Sequence, residues 1–366
     1  MPCKFFRAAL LAVLLLSAGG AAAAVDDERV GTWDPQPFAA DGAFEFIVTQ
    51  ESPLARLQQR SKTAQSFVFY FRHDGAILLI AQPNAVLGPR GARTDKDGSV
   101  IFADFAASGI KRLAANGQVT TVISGAPLTA PKDVAIAASG DLVIADFDEF
   151  KDTSRRAVVL YRQATKDLKT IYAGKPLLWP HGVDIDRNGD YVIADVSGAI
   201  FRVTPTGQLT TVASGVPLIG PLDIKVQADG SYVVPDNQLG MDAASGQNNR
   251  PAQPPLPAKL FRVTPDGEIS VIYQKRGSTF RAVANHPAGG WIVVDSSGGR
   301  GNGDGQARGA LIRVYPDGTA RVLHEGAPFF NPAGVTIIAG ASSMAVAKQQ
   351  NESSAPPAAP RRRDGR

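Results

Sequence analysis

Four side chains stand at matching points of a repeated pattern and could do chemistry: Arg90, Lys132, His181 and Arg281. Each directly follows the residue that opens one copy of the repeat, and the two remaining copies carry Leu222 and Ala333 there. Arginine and lysine hold carboxylates and phosphates, and the arginine fork can do so with two bonds at once. Imidazole titrates near neutrality and can accept a proton from a reacting group. Two functions follow. One is recognition of a small anionic or polyhydroxylated ligand, with Arg90 and Arg281 as carboxylate or phosphate clamps. The other is a hydrolase or lyase in which His181 is the general base and Arg90 or Arg281 stabilises an oxyanion. One residue further along, two copies carry Asp133 and Asp223, and two residues beyond those positions come Arg93, Asp184 and Lys225. The ligand-binding set is then Arg90, Lys132, Asp133, His181, Asp223 and Arg281. The bland counterpart is internal pairing of Lys132 or Arg93 with Asp133, Asp184 or Asp223 around water.

The pattern that places these residues recurs six times. A Pro (once Phe) opens an apolar segment and an Asp (once Ala) closes the next one fifteen residues later. The pairs are Pro89 and Asp104, Pro131 and Asp146, Pro180 and Asp195, Pro221 and Asp236, Phe280 and Asp295, and Pro332 and Ala347. In the third copy Val183 and Ile185 alternate with Asp184 and Asp186, the period-two signature of a strand. Asn188 and Gly189 supply a tight hairpin turn, and Tyr191 to Ala194 is a second strand rich in β-branched and aromatic residues. Ala199 to Val203 and Leu209 to Ala213 supply two more, split by a turn at Thr206 and Gly207. Each copy is a four-stranded antiparallel meander, and starts 41 to 59 residues apart suit a propeller blade.

The last copy meets the tail before its third strand. Phe67 to Phe71 and Ile77 to Ala81, with Asp74 and Gly75 between them, look like the missing outer half. The expected fold is all-β: a six-bladed β-propeller of four-stranded antiparallel blades, with the sixth blade closed by the N-terminal segment. Closure of that kind removes free sheet edges. The blades resemble the NHL-type repeats of six-bladed propellers, the group that includes senescence-marker/gluconolactonase relatives, virginiamycin B lyase and the peptidyl-amidoglycolate lyase domain. The resemblance covers residues 66–348 and implies a fold that hosts binders, lactonases and lyases alike.

It also implies metal chemistries that the residues answer unevenly. The stretch from Leu178 to Asp186 is similar to a zinc-ligand blade of the amidoglycolate lyases, which bring three His together. Here Arg, Lys, Leu, Arg and Ala stand where further His would be needed, and His73, His286 and His324 fall elsewhere. Gluconolactonase relatives hold calcium through oxygen ligands, and Asp133 and Asp223 are roughly placed for that. Arg90, Lys132 and Arg281 would repel the cation. A virginiamycin-type lyase would pair His181 with magnesium-bound substrate. No metal-ligating set is assigned, and a calcium or magnesium ion stays open as a cofactor. The closing Asp residues read as structural acceptors of turn N–H groups.

Composition divides the chain further. Residues 1–24 carry Lys4 and Arg7, an apolar run and Ala22, Ala23 and Ala24, the form of a cleaved secretory signal. The run is too short to span a bilayer. The sole cysteine is Cys3, so the mature chain has no disulfide. A periplasmic or secreted protein is expected. Residues 25–65 read as an N-terminal arm, 66–348 as the propeller, and 349–366 as a disordered Arg-rich tail. Of the net charge of +4, +2 sits in residues 1–24 and +2 in 349–366, which leaves the body neutral. That argues against nucleic acid as a partner. Long insertions at 148–156, 237–258 and 296–308 all fall between strands two and three, on the face that also carries Arg90, Lys132, His181 and Arg281. Loops on a rigid scaffold are where binding sits. The expected partner is a small anionic molecule, a glycan or another protein on that face.

Overall fold

Alternating apolar residues punctuated by turn glycines fold here as the sequence pattern requires. The computed structural model describes residues 29–32, 44–51, 66–81, 85–148, 156–239, 256–296 and 309–338. Residues 1–24, expected to be a signal, most of the three insertions and residues 349–366 lie outside them. No helix among the described residues is long and apolar enough to cross a membrane.

Among the described residues the first strands are β1 (Arg29–Thr32), β2 (Glu45–Gln50), β3 (Phe67–Phe71) and β4 (Ala76–Ala81). Blade 1 is β5 (Pro89–Thr94), β6 (Val100–Asp104), β7 (Gly109–Leu113) and β8 (Val119–Ser124). Blade 2 is β9 (Pro131–Ile136), β10 (Leu142–Asp146), β11 (Ala157–Arg162) and β12 (Asp167–Ala173). Blade 3 is β13 (Pro180–Ile185), β14 (Tyr191–Asp195), β15 (Ala199–Val203) and β16 (Leu209–Ser214). Blade 4 is β17 (Lys225–Val226), β18 (Tyr232–Asp236), β19 (Ala258–Val263) and β20 (Ile269–Lys275). Blade 5 is β21 (Phe280–Asn285), β22 (Trp291–Asp295), β23 (Ala310–Val314) and β24 (Ala320–Glu325), and the last strand among the described residues is β25 (Pro332–Ile338). Each blade pairs its strands in sequence order, all antiparallel.

The inner strands neighbour one another right round the ring: β5 with β9, β9 with β13, β13 with β17, β17 with β21, β21 with β25, and β25 with β5. The chain is a six-bladed β-propeller. Its core is six separate apolar clusters, one between each pair of adjacent blades. Strand alternation decides which cluster a residue joins. In blade 3, Tyr191 and Ile193 face blade 2, whereas Val192 and Ala194 face blade 4. The inner-strand residues Ala92, Val134, Val183, Ile224, Val283 and Val335 supply one member to each cluster.

Blade 6 differs from the expected assembly in two strands. Its order is β1-β4-β3-β2-β25, so the N-terminal region supplies a second strand as well as the two outer ones, and adds a fifth. Glu45–Gln50 pairs with β25 from Glu45 opposite Ile338 to Gln50 opposite Pro332, and with β3 on its other side. The slot expected for the segment ending at Ala347 is therefore filled from the arm, and residues 339–347 lie outside the described set. The reason is visible in the burial: Phe46 and Val48 enter the cluster shared with blade 5, and Ile47 the cluster shared with blade 1. A strand that feeds both neighbouring cores fits the slot whatever its place in the chain.

Turn glycines carry a second duty. Gly189 has a positive φ, and a Cβ there would meet nothing within 4 Å. Gly267 also has a positive φ, but its Cβ would lie 2.4 Å from the carbonyl oxygen of Val212 in the preceding blade. Gly207 approaches Ile171 and Gly318 approaches Ile272 in the same way, at 2.7 and 2.8 Å. Gly189→Ala should cost about 1 kcal/mol, the strain of a left-handed non-glycine residue. Gly267→Ala should cost roughly 1–3 kcal/mol more, because two blades must part. Urea midpoints of the two variants check this, and equal losses would refute the close approach.

Candidate functional site

The fifteen-residue spacing is the open end of a hairpin. Pro131 pairs with Asp146, Pro180 with Asp195, and Phe280 with Asp295. Each closing Asp is buried and turns back on the entrance to its own blade. Asp104 accepts the N–H groups of Leu87 and Gly88, at 3.0 and 2.7 Å. Asp146 accepts those of Thr129 and Ala130, Asp195 those of Leu178 and Trp179, and Asp236 those of Ile219 and Gly220. Burial pushes Asp146, Asp195 and Asp236 up from the usual carboxylate range, and these N–H bonds pull them back. In blade 6 the amide oxygen of Gln50 does the same for Phe330 N–H at 2.9 Å. This clamp holds the start of every inner strand, and so it aims the residue that follows.

Those residues converge. Arg90 Nη1 lies 3.3 Å from His181 Nε2, and Arg90 and Lys132 share the face of Phe105, at 4.2 and 5.1 Å from the ring centre. Arg281 completes the group through Glu51, the residue just past β2. Arg90 Nε donates to Glu51 Oε2 at 2.7 Å, and both terminal nitrogens of Arg281 donate to Oε1 at 3.1 Å. Asn331 donates to the same oxygen at 3.2 Å and accepts from Arg281 at 2.9 Å. Glu51 and Arg90 are 1 % exposed, Lys132 2 % and Arg281 7 %. Arg90 and Arg281 thus close on one carboxylate, and it is the chain's own. Glu51 and Asn331 escaped the sequence reading, because Glu51 was assigned to an arm. The apolar, β-branched run Phe46, Ile47 and Val48, followed by Thr49, is the signal that could place it.

His181 is fixed on both sides. Nδ1 lies 2.6 Å from the carbonyl oxygen of Leu222, which can only accept, so Nδ1 carries the proton. The Nε2 lone pair is left to receive Arg90. Burial, then the charges of Arg90, Arg281 and Lys132, hold the imidazole well below its ordinary value, so it is neutral at pH 7.

Asp133 and Asp223 sit one level deeper and serve the ring. Gly91 leaves room for Asp133: a Cβ there would lie 1.9 Å from Asp133 Oδ1. Asp133 accepts Val183 N–H from blade 3 at 3.0 Å, Asp184 accepts Val226 N–H from blade 4 at 2.8 Å, and Asp223 accepts Val283 N–H from blade 5 at 3.0 Å. Arg93 forks onto Asp133 at 3.1 and 2.8 Å, and Lys225 pairs with Asp223 at 2.5 Å. Burial pushes Asp133 up to about 6 against the pull of Arg93, with Asp223 adding to the rise. Burial lowers Arg93, but Asp133, Asp223 and Asp184 outweigh it and hold it above its usual value. The pair is ionised at neutral pH.

The described residues contain no group of three metal-ligating His, Cys, Asp or Glu side chains. His73 pairs with Glu45 at 2.6 Å, His286 packs edge-on against Phe44, and His324 meets the Ala327 carbonyl oxygen, all away from His181. A groove of about 520 Å³ lies between blades 4 and 5 at the opposite end, lined by Gln227, Asp229, Arg262, Trp291 and Asp317 among others. Its polar groups serve one another, as in Arg262 with Asp229 at 3.1 Å and Trp291 with Gln227 at 3.0 Å.

No family model and no curated protein matches this sequence. Solved structures do match. A chain of the nidogen/laminin complex aligns with TM-score 0.57 at 14% identity, covering 81% of this chain and 99% of that one. A protein of unknown function from Bacteroides caccae gives 0.54 at 12% identity, over 82% and 100%. A catalytically inactive virginiamycin B lyase from Staphylococcus aureus with quinupristin gives 0.50 at 15% identity, over 79% and 88%. The kinship is one of fold.

Glu51→Ala should leave two buried guanidinium groups facing each other and destabilise the protein by about 3–5 kcal/mol, read as a shift in the denaturation midpoint. A loss below about 1 kcal/mol, the range of a surface pair, would show that Glu51 does not hold the mouth. His181 gives a pH signature. Its folded value is depressed, so its contribution is full above the unfolded value of 6.5 and is lost as pH falls below it. The slope is at most about 1.4 kcal/mol per pH unit. Asp133, held up, works in the opposite sense. The difference between wild type and His181→Asn should therefore shrink from pH 7 to pH 5, and a flat difference would show that the imidazole is not held neutral.

Proposed function

We propose that this propeller is a recognition module that binds an anionic ligand at the channel mouth, on the face bearing the long strand-two to strand-three insertions. The ligand is a small molecule, a glycan or a group on a partner protein. One observation carries the reading: Arg90 from blade 1 and Arg281 from blade 5 close on a single carboxylate, that of Glu51. Two guanidinium groups set at that spacing form a ready-made carboxylate receptor. Lys132 adds a third cation beside them, against Phe105 and Phe147. Seated in a desolvated mouth, such groups act more strongly than they would on an open surface.

In this reading His181 is a neutral hydrogen-bonding member of the mouth, since its Nε2 already faces Arg90. A hydrolase or lyase would need that nitrogen turned to a substrate. Ligand exchange would proceed against Glu51, so affinity for a free carboxylate should rise when Glu51 is replaced by Gln. Calorimetry on the full chain with citrate, inorganic phosphate and an oligohexuronate tests the proposal. At least one should bind, more weakly at higher salt. Arg281→Gln should lose about tenfold or more in affinity, as one charged hydrogen bond implies. Absence of binding by every anion, in wild type and in Glu51→Gln alike, would refute it.

A further inference from the structure

We infer that the anion received at the mouth carries a second acidic group, held by Arg156, an inference that rests on the anion-binding reading above. Arg90, Arg156, Arg281 and Arg313 are the buried arginines among the described residues. Three of them are bonded: Arg90 and Arg281 to Glu51, and Arg313 to the carbonyl oxygens of Val314 and Gly289. Arg156 is the exception. It is 6 % exposed, yet its guanidinium makes no ion pair and no hydrogen bond among the described residues. What its charge meets is the ring of Trp179, 5.9 Å from the ring centre.

Arg156 stands at the mouth end of blade 2. It directly precedes Ala157, which pairs with Asp146, and Asp146 pairs in turn with Pro131, the residue before Lys132. Arg156 and Lys132 are therefore two strand spacings, or about 10 Å, apart along one rim. Arg156 Nε is enclosed and bonds to nothing, whereas its terminal nitrogens bond to nothing and are not enclosed. The face of the guanidinium is thus covered by a ring and its edge is open to a guest. Trp179 directly precedes Pro180, which pairs with Asp195 at the same end of blade 3. It is 4 % exposed, and its indole Nε1 is neither enclosed nor hydrogen-bonded among the described residues. Blades 2 and 3 so offer a charged fork and an N–H donor, the groups an oxyanion takes. A buried cation without a counter-charge carries an uncompensated desolvation cost, which an arriving anionic group offsets. No internal carboxylate has to leave first, as Glu51 must at Arg90 and Arg281. A single acid group fills one position, and a chain of acidic units reaches both.

Calorimetry on the full chain with hexuronate as monomer, trimer and hexamer decides the matter. The hexamer should bind at least about a hundredfold more tightly than the monomer, as two linked binding events imply. In Arg156→Gln, with near-UV circular dichroism confirming the fold, that gain should fall below about tenfold, because the linkage is lost. Should Arg156→Gln fail to fold, Arg156→Lys answers the same question: it keeps the charge, loses the fork and should still shrink the gain. Arg281→Gln should weaken the hexamer as well, since it removes the other position. If the monomer binds and the hexamer gains no more in wild type than in the Arg156 variant, the second acidic group is refuted while the anion site stands. If no hexuronate, citrate or phosphate binds at all, both readings fall.

Discussion

Pairing between the two ends of the chain is the constraint on which the rest depends. β25 comes from the C-terminal part and β2 from near the N-terminus, and their register runs from Glu45 opposite Ile338 to Gln50 opposite Pro332. Without it the inner strands would form an open arc with free edges, and the apolar clusters beside blade 6 would lose one wall. The same strand ends at Glu51. Closing the ring therefore delivers a carboxylate to the point where Arg90 and Arg281 meet. Fold closure and the electrostatics of the mouth are one event in this protein.

Buried charge elsewhere follows the same economy of position. Asp133, Asp184 and Asp223 each reach from one inner strand to a backbone N–H of the next blade. Thr336 accepts Thr94 N–H, and Thr49 donates to the Arg90 carbonyl oxygen, which joins blade 6 to blade 1 in the same manner. A buried carboxylate is tolerated when hydrogen bonds and an opposite charge surround it. Arg93 and Lys225 supply that charge. The throat is thus a set of inter-blade ties, and the cluster of Arg90, Arg281 and Glu51 stands above it at the mouth.

Much of this was legible before any coordinates. The six spacings, the strand alternation and the turn glycines led to six four-stranded blades, and the closing Asp residues were readable as acceptors of turn N–H groups. The convergence of Arg90, Lys132, His181 and Arg281 followed from their equal positions in the repeat. What escaped was Glu45–Gln50, whose strand carries no opening Pro, no closing Asp and no hairpin glycine in common with the other copies. With that strand unplaced, Glu51 could not be seen as the partner of the two arginines. The second duty of Gly267 was also hidden, because its neighbour Val212 belongs to another blade.

Periodicity is a local property, and the chain's own order of residues was enough to determine the strands and turns of the five regular blades, the blade count and which positions point at the mouth. Partner choice between distant segments is not local. Only the closed ring decided that Gln50 would stand opposite Pro332, that Glu51 would sit between Arg90 and Arg281, and that His181 would be neutral. Those outcomes depend on burial and on charges brought together from four blades, and neither exists until the sheets have packed.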